Sequence, residues 1–272
     1  MTNVTFEKAP LVEIAAQLRW IPEGMFNAPP IPGQPPGFTI STGGPSVDEF
    51  FMRFGGEIYQ SKFVQAERLM PAGFPYLLHN AVYRYKENPK SSTFLQVGPG
   101  VMSANAVPPY KSWEDFLPTV EVGVKATLNA RHESEKTKPF STALLRYINA
   151  FSGELLNARA IPNFISETLG IKIVMPAPID ALIGDESAVK ANLQFSFPIA
   201  NMTKQMNLQI GEAMIHGTLS ALMDVTISET APIDPELSAI MGAFASSRKI
   251  IHDLFVEVTR PIHHLMKPSG EV

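Results

Sequence analysis

The chain has 272 residues, 45% apolar and 18% charged, with a formal net charge of −4 and no cysteine. That length can bury a sizeable core as one or two domains without covalent staples, and the apolar fraction argues against disorder as the global state. Missing cysteines exclude disulfides, thiolate nucleophiles and cysteine-ligated zinc, while scattered Lys and Arg in an acidic total argue against nucleic acid as a partner.

Met1 to Lys8 carry an acid before any apolar run and lack the basic start and small-residue cleavage site of a signal peptide. No uninterrupted apolar stretch approaches the roughly 18 residues of a membrane span. The expectation is a cytoplasmic protein with no membrane partner.

Pro10 to Ile21 alternate loosely, with Leu11, Ile14, Ala16, Leu18 and Trp20 toward one side, as a half-buried strand does. Residues 22–45 then hold seven prolines and five glycines in 24 positions, too many for helix or ladder to persist. This is a Pro/Gly-rich arm, read either as an insertion or as a structured arm that reaches a partner. Ser46 to Glu67 reads as one helix with a soft centre at Gly55-Gly56, or as two short ones, opened by Ser46 with Asp48 and Glu49 in the first turn. Tyr76 to Lys86 and Phe94 to Asn105 read as an antiparallel hairpin, the second strand interrupted at Gly98-Pro99-Gly100 by a bulge or edge position.

Ser112 followed by Asp115 resembles a capping box and opens a helix to about Ala130, with Phe116 or Leu117, Val120, Val124 and Leu128 on one stripe. Phe140 to Phe151 is nearly continuous in hydrophobicity and reads as a central strand. A short helix at Ile161 to Leu169 ends at Gly170. Three strands, Lys190–Ala200, Lys204–Ile215 and Thr218–Ser228, have connections short enough for a meander. Asp234 and Pro235 are placed to start the last helix, with Leu237, Phe244, Ile251 and Val258 recurring at seven residues. That stripe fits core packing or a helix shared in a homo-oligomer.

Pro10-Leu-Val-Glu13, Asn105-Ala-Val-Pro-Pro-Tyr110 leading into Trp113-Glu-Asp-Phe116, and Arg146-Tyr-Ile-Asn149 give the chain its family likeness. With these motifs it resembles a bacterial family of uncharacterised proteins described as sporadically distributed. The resemblance implies an accessory gene that moves between genomes, of the kind found in phage-defence or toxin-antitoxin loci. It implies no reaction and no catalytic residue.

Asn105, Tyr110, Arg146, Tyr147 and Asn149 form the polar set to inspect, either as a network fixing the turn or as a pocket for a ligand or partner. Trp113 is either core packing or an interface anchor. Six histidines show no HExxH spacing, no serine sits in a GxSxG elbow, and Gly98-Pro-Gly100 lacks phosphate-loop spacing. No catalytic residue, metal site or cofactor is expected.

The expected fold is α+β, with two antiparallel β-meander units, each packed by helices, and a long C-terminal amphipathic helix. The expected domains are 1–152, with the arm at 22–45, and 153–272. The expected function is that of a non-enzymatic interaction protein, an oligomeric accessory component that contacts a protein partner, a second copy, or both. The arm or the Asn105 to Tyr110 turn is the expected contact. The alternative is a small-ligand binder or cryptic enzyme with a site near Arg146 and Tyr147.

Overall fold

A computed structural model describes residues 4–23, 40–41, 45–110, 112–172, 174–184 and 189–269. In chain order the first elements are β1 (Thr5–Phe6), β2 (Leu11–Arg19), β3 (Ile40–Ser41), α1 (Pro45–Tyr59), β4 (Gln65–Arg68), β5 (Tyr76–Leu77), β6 (Tyr83–Lys86), β7 (Thr93–Gly98), β8 (Val101–Ala106) and α2 (Trp113–Ala130). There follow β9 (Thr142–Phe151), α3 (Ile161–Asn163), α4 (Ala177–Asp180), β10 (Asn192–Pro198), β11 (Lys204–Ile215), β12 (Thr218–Glu229), α5 (Leu237–Val258), α6 (His263–Met266) and β13 (Pro268–Ser269). The fold is α+β with antiparallel sheets and a C-terminal helix, α5, as the sequence pattern requires. Two compact units emerge: Met1–Glu13 with Arg146–Ile227 and Ser247–Val272, and Ile14–Leu145 with Ser228–Ser246. The sequence places a single cut at residue 152, whereas these units are discontinuous along the chain.

In the unit built on Ile14–Leu145 the strand order is β2-β8-β7-β6-β4. Pairing is antiparallel throughout, and the register sorts residues by face. Leu18, Met102, Val97 and Tyr83 form one apolar row, and Ala16, Ala104, Leu95 and Tyr85 the next. Helices α1 and α2 cover this face. Phe51 meets Tyr83 at 5.2 Å and Phe54 meets Tyr85 at 5.8 Å between ring centroids. Ser112 caps α2 by accepting from the Asp115 amide at 3.1 Å, as the capping-box spacing predicts. Gly123 brings α2 close to the sheet, since a Cβ there would lie 2.8 Å from Leu95 Cδ2 and 2.9 Å from Met102 Sδ.

Three expectations change here. Helix α1 runs unbroken through Gly55-Gly56 but stops at Tyr59, and Gln65–Arg68 is strand β4 because it pairs with Tyr83–Lys86. Gly98-Pro99-Gly100 is the turn between two strands, not a bulge within one, because Gly98 pairs with Val101 and Gly100 takes φ +67. Tyr76–Lys86 is split into β5 and β6 by the turn at His79, whose φ is +64, and β5 pairs with β3.

In the other unit the strand order is β10-β11-β12-β9, β9 through Arg146–Phe151. The β11–β12 turn uses His216 at φ +49 and Gly217 at φ +80, the positive values a two-residue hairpin loop demands. Ile161–Leu169 is helical as expected, with a π-helical turn at Phe164–Thr168 and Gly170 at φ +73 just past its end. Phe151 packs on Phe164 at 5.0 Å, and Phe6 on Phe255 at 5.9 Å and on the His263 ring at 4.9 Å. Burial holds the His263 imidazole below its usual range, with Arg260 pushing the same way and a bond to the Val256 carbonyl opposing.

Helix α5 begins at Leu237, two residues later than the Asp234-Pro235 signal implies. Ile233 is bridged to Phe140, and the Ile240 amide donates to the Glu236 carbonyl, which makes Glu236 the capping position. Ile240, Phe244, Ser247 and Ile251 form its buried stripe. Among the described residues no helix is long and apolar enough to cross a membrane.

Close approach at glycine gives a test of this packing. A Cβ on Gly98 would lie 1.7 Å from the Asn80 carbonyl oxygen, whereas one on Gly56, inside α1, would meet nothing within 4 Å. Gly98→Ala is expected to destabilise by about 1–3 kcal/mol or more, because backbone cannot yield as a side chain can. Gly56→Ala is expected to stabilise by about 0.5–1 kcal/mol, and urea unfolding measures both.

Candidate interaction surface

The six residues singled out from sequence fall in separate units: Asn105, Tyr110 and Trp113 in one, Arg146, Tyr147 and Asn149 in the other. Trp113 is 7% exposed and meets Phe116 edge-on at 5.8 Å, a packing role at the start of α2. Asn105 is buried on β8 and its Oδ1 accepts from Ser103 Oγ at 2.7 Å. Tyr110 and Tyr147 are half-buried, and Asn149 is buried on β9.

Arg146 is engaged by a residue that sequence reasoning did not select. Its Nε donates to both carboxylate oxygens of Asp224 on β12, at 2.9 and 3.1 Å, and Nη2 donates to Oδ2. The Asp224 side chain is 6% exposed and that of Arg146 46%, so a half-open guanidinium covers a buried carboxylate. The bonds to Asp224 raise the Arg146 pKa further, against the opposing effect of its own burial. Seventy-eight positions separate the pair in sequence, so no local spacing announces it.

A second polar arrangement crosses the strands β2-β8-β7-β6-β4 on the face away from α1 and α2. The register aligns Gln17, Ser103, Gln96, Arg84 and Glu67 in one cross-strand row. Arg19 Nη2 donates to Gln17 Oε1 at 2.8 Å, Arg84 pairs with Glu67 at 3.3 Å, and the Arg84 guanidinium lies 5.0 Å from the Phe94 ring centre. Gln65, Ala66, Glu67, Arg84, Lys86 and Pro89 line an open concavity of about 270 Å³ at its outer end. The row's two charges, Arg84 and Glu67, pair with one another at an end where the Glu67 side chain is 61% exposed.

Residues 24–39 and 42–44 of the Pro/Gly arm lie outside the described residues, but both of its roots are placed. The Glu23 amide donates to Glu135 Oε1 at 2.6 Å, and Glu135 Oε2 lies 3.7 Å from Arg131 Nε. Arg131 is fully buried, with its guanidinium 4.3 Å from the Phe140 ring centre and Nη1 donating to the Lys138 carbonyl at 3.0 Å. Burial lowers its pKa, with Glu135 opposing. At the far root Ile40–Ser41 pairs with Tyr76–Leu77.

Strand β10 is an open surface of the unit that contains Arg146–Ile227. Among the described residues it is an outer strand, paired only on its β11 side, and six of its seven residues are exposed. Its sequence, Asn192-Leu-Gln-Phe-Ser-Phe-Pro198, carries no charge. Leu193, Phe195 and Phe197 lie on one face opposite Ile210, Leu208 and Met206 of β11. Ile210 and Met206 are buried, whereas Phe195 and Phe197 are 39% and 43% exposed, so a buried apolar face runs out to an open rim. Val174, Ile179, Leu182, Met214 and Leu219 are also exposed in this unit. No family model, curated protein or solved structure matches the chain.

The Arg146–Asp224 geometry separates a structural pair from a ligand site. Arg146→Ala is expected to destabilise by about 1–3 kcal/mol, less than for a fully buried pair because Arg146 is half-exposed, as it leaves the Asp224 carboxylate uncompensated. Arg146→Ala with Asp224→Leu is expected to recover most of that loss. Denaturant melts of the single and double variants check it, and an Arg146→Ala variant as stable as the parent contradicts it.

Proposed function

We propose that this chain is a non-enzymatic binding protein that docks an extended protein segment along the open side of β10. The observation that carries the reading is an uncharged outer strand with two exposed phenylalanines. Outer strands present unpaired N–H and C=O groups, and folded proteins ordinarily blunt them with charge, proline or a covering element. Strand β4, the outer strand at the opposite end of the strand order, follows that rule with Glu67 and Arg68 among its four residues. Strand β10 has only the terminal Pro198 and otherwise offers what strand addition uses: main-chain groups for affinity and alternating side chains for selection.

The reading prefers β10 to the Asn105 to Tyr110 turn, where Asn105 is buried and Pro108 and Pro109 are exposed, and leaves aside the arm, most of which lies outside the described residues. The accessory role in a mobile bacterial locus belongs to the same proposal and rests on the three motifs quoted above.

Phe195→Lys combined with Phe197→Lys places two charges where blunted edges carry them. Tagged protein from native cells is expected to lose at least about 90% of its co-purifying protein while unfolding stays cooperative, with a stability loss of about 1–3 kcal/mol because each ring is more than half covered. Undiminished recovery with the double variant contradicts docking at β10.

A further inference from the structure

The partner class for β10 is written in its own sequence. We propose that β10 pairs antiparallel with β10 of a second copy, about a two-fold axis through Phe195, which continues the sheet from one chain into the next. This rests on the reading of β10 as the docking strand and adds the identity of what docks.

Antiparallel pairing about a residue matches positions equally distant from it, and side chains opposite one another share a face. Centred on Phe195, the strand sets Leu193 against Phe197, Phe195 against its own copy, Gln194 against Ser196, and Asn192 against Pro198. Apolar meets apolar on one face, while on the other Gln194 meets Ser196 and Asn192 meets the apolar, donor-free Pro198 at the end of the ladder. This register also overlaps all seven residues, and shifting the centre by one residue leaves an end unpaired.

Self-pairing places like charges directly opposite when a strand carries them near its centre, which destabilises the pair. Asn192–Pro198 contains no Asp, Glu, Lys or Arg, so that penalty is missing. A two-fold interface must be self-complementary, and β10 meets this in hydropathy and in charge. The apolar face also becomes continuous: Leu193, Phe195 and Phe197 of one copy abut those of the other and extend the cover over Met206 and Ile210. A ladder of seven residues is about 24 Å long and gives a small interface, of the size class found in weak, transient association.

The chain contains no cysteine, so single cysteines report the register without background. In Phe195→Cys the two sulfurs face each other across the axis, at the Cα separation of roughly 5 Å that a disulfide accepts. In Leu193→Cys the two copies are offset by four residues, about 14 Å, which a disulfide does not span. The 272-residue chain is expected to weigh twice its 29.8 kDa at tens of micromolar by light scattering. Mild oxidation is expected to trap Phe195→Cys as a covalent dimer several-fold more than Leu193→Cys, and the Phe195→Lys, Phe197→Lys variant is expected to be monomeric.

A parent chain that is monomeric up to about 100 μM overturns self-pairing. So does a dimer that persists in the double-lysine variant, or trapping as efficient at 193 as at 195. If self-pairing fails while the double-lysine variant still loses its co-purifying protein, β10 remains the docking strand for a different partner. If neither measurement responds to the lysines, both readings fall.

Discussion

Backbone N–H and C=O groups along the open side of β10 are the constraint on which the functional reading depends. Such groups are satisfied by protein or by water, and an uncharged, phenylalanine-bearing strand left to water is also a template for association. The protein answers this differently at its two outer strands. Strand β4 carries Glu67 and Arg68 and pairs only four residues, whereas β10 runs seven residues without a charge. The difference lies in residue choice, since both strands occupy the same kind of position in an antiparallel sheet.

Several charged groups, buried and exposed, are engaged by partners. Arg146 covers the Asp224 carboxylate, Arg131 stacks on Phe140 beside Glu135, and Arg84 sits between Glu67 and Phe94. Each removes a charged group from the inventory of free ligand-binding functions and converts it into a constraint on the fold. The Arg131–Glu135 pair has a further consequence, because Glu135 also holds the Glu23 amide at the root of the Pro/Gly arm. The arm therefore leaves from a position set by the core.

Much of the α+β pattern was legible because its signals are local. The Ser112–Asp115 spacing marks the start of α2, Gly170 marks the end of its helical turn, and His216-Gly217 fits the tight turn between β11 and β12. Signals that depend on tertiary pairing were not legible. Gln65–Arg68 has no strand pattern of its own and becomes β4 by pairing with β6, and Gly98-Pro99-Gly100 looks like a flaw in one strand until Gly98 is seen opposite Val101. The candidate site divides the same way: Arg146 stood out by its motif, but Asp224 lies 78 positions away, and the outer position of β10 follows only from strand order.

Amide hydrogen exchange across a dilution series tests the central claim most directly, with β4 as an internal control. Docking at β10 by a second copy predicts that amides within Leu193–Phe197 exchange more slowly as protein concentration rises, while those of Ala66 and Glu67 do not change. Exchange in Leu193–Phe197 that is fast and independent of concentration up to about 100 μM would contradict it.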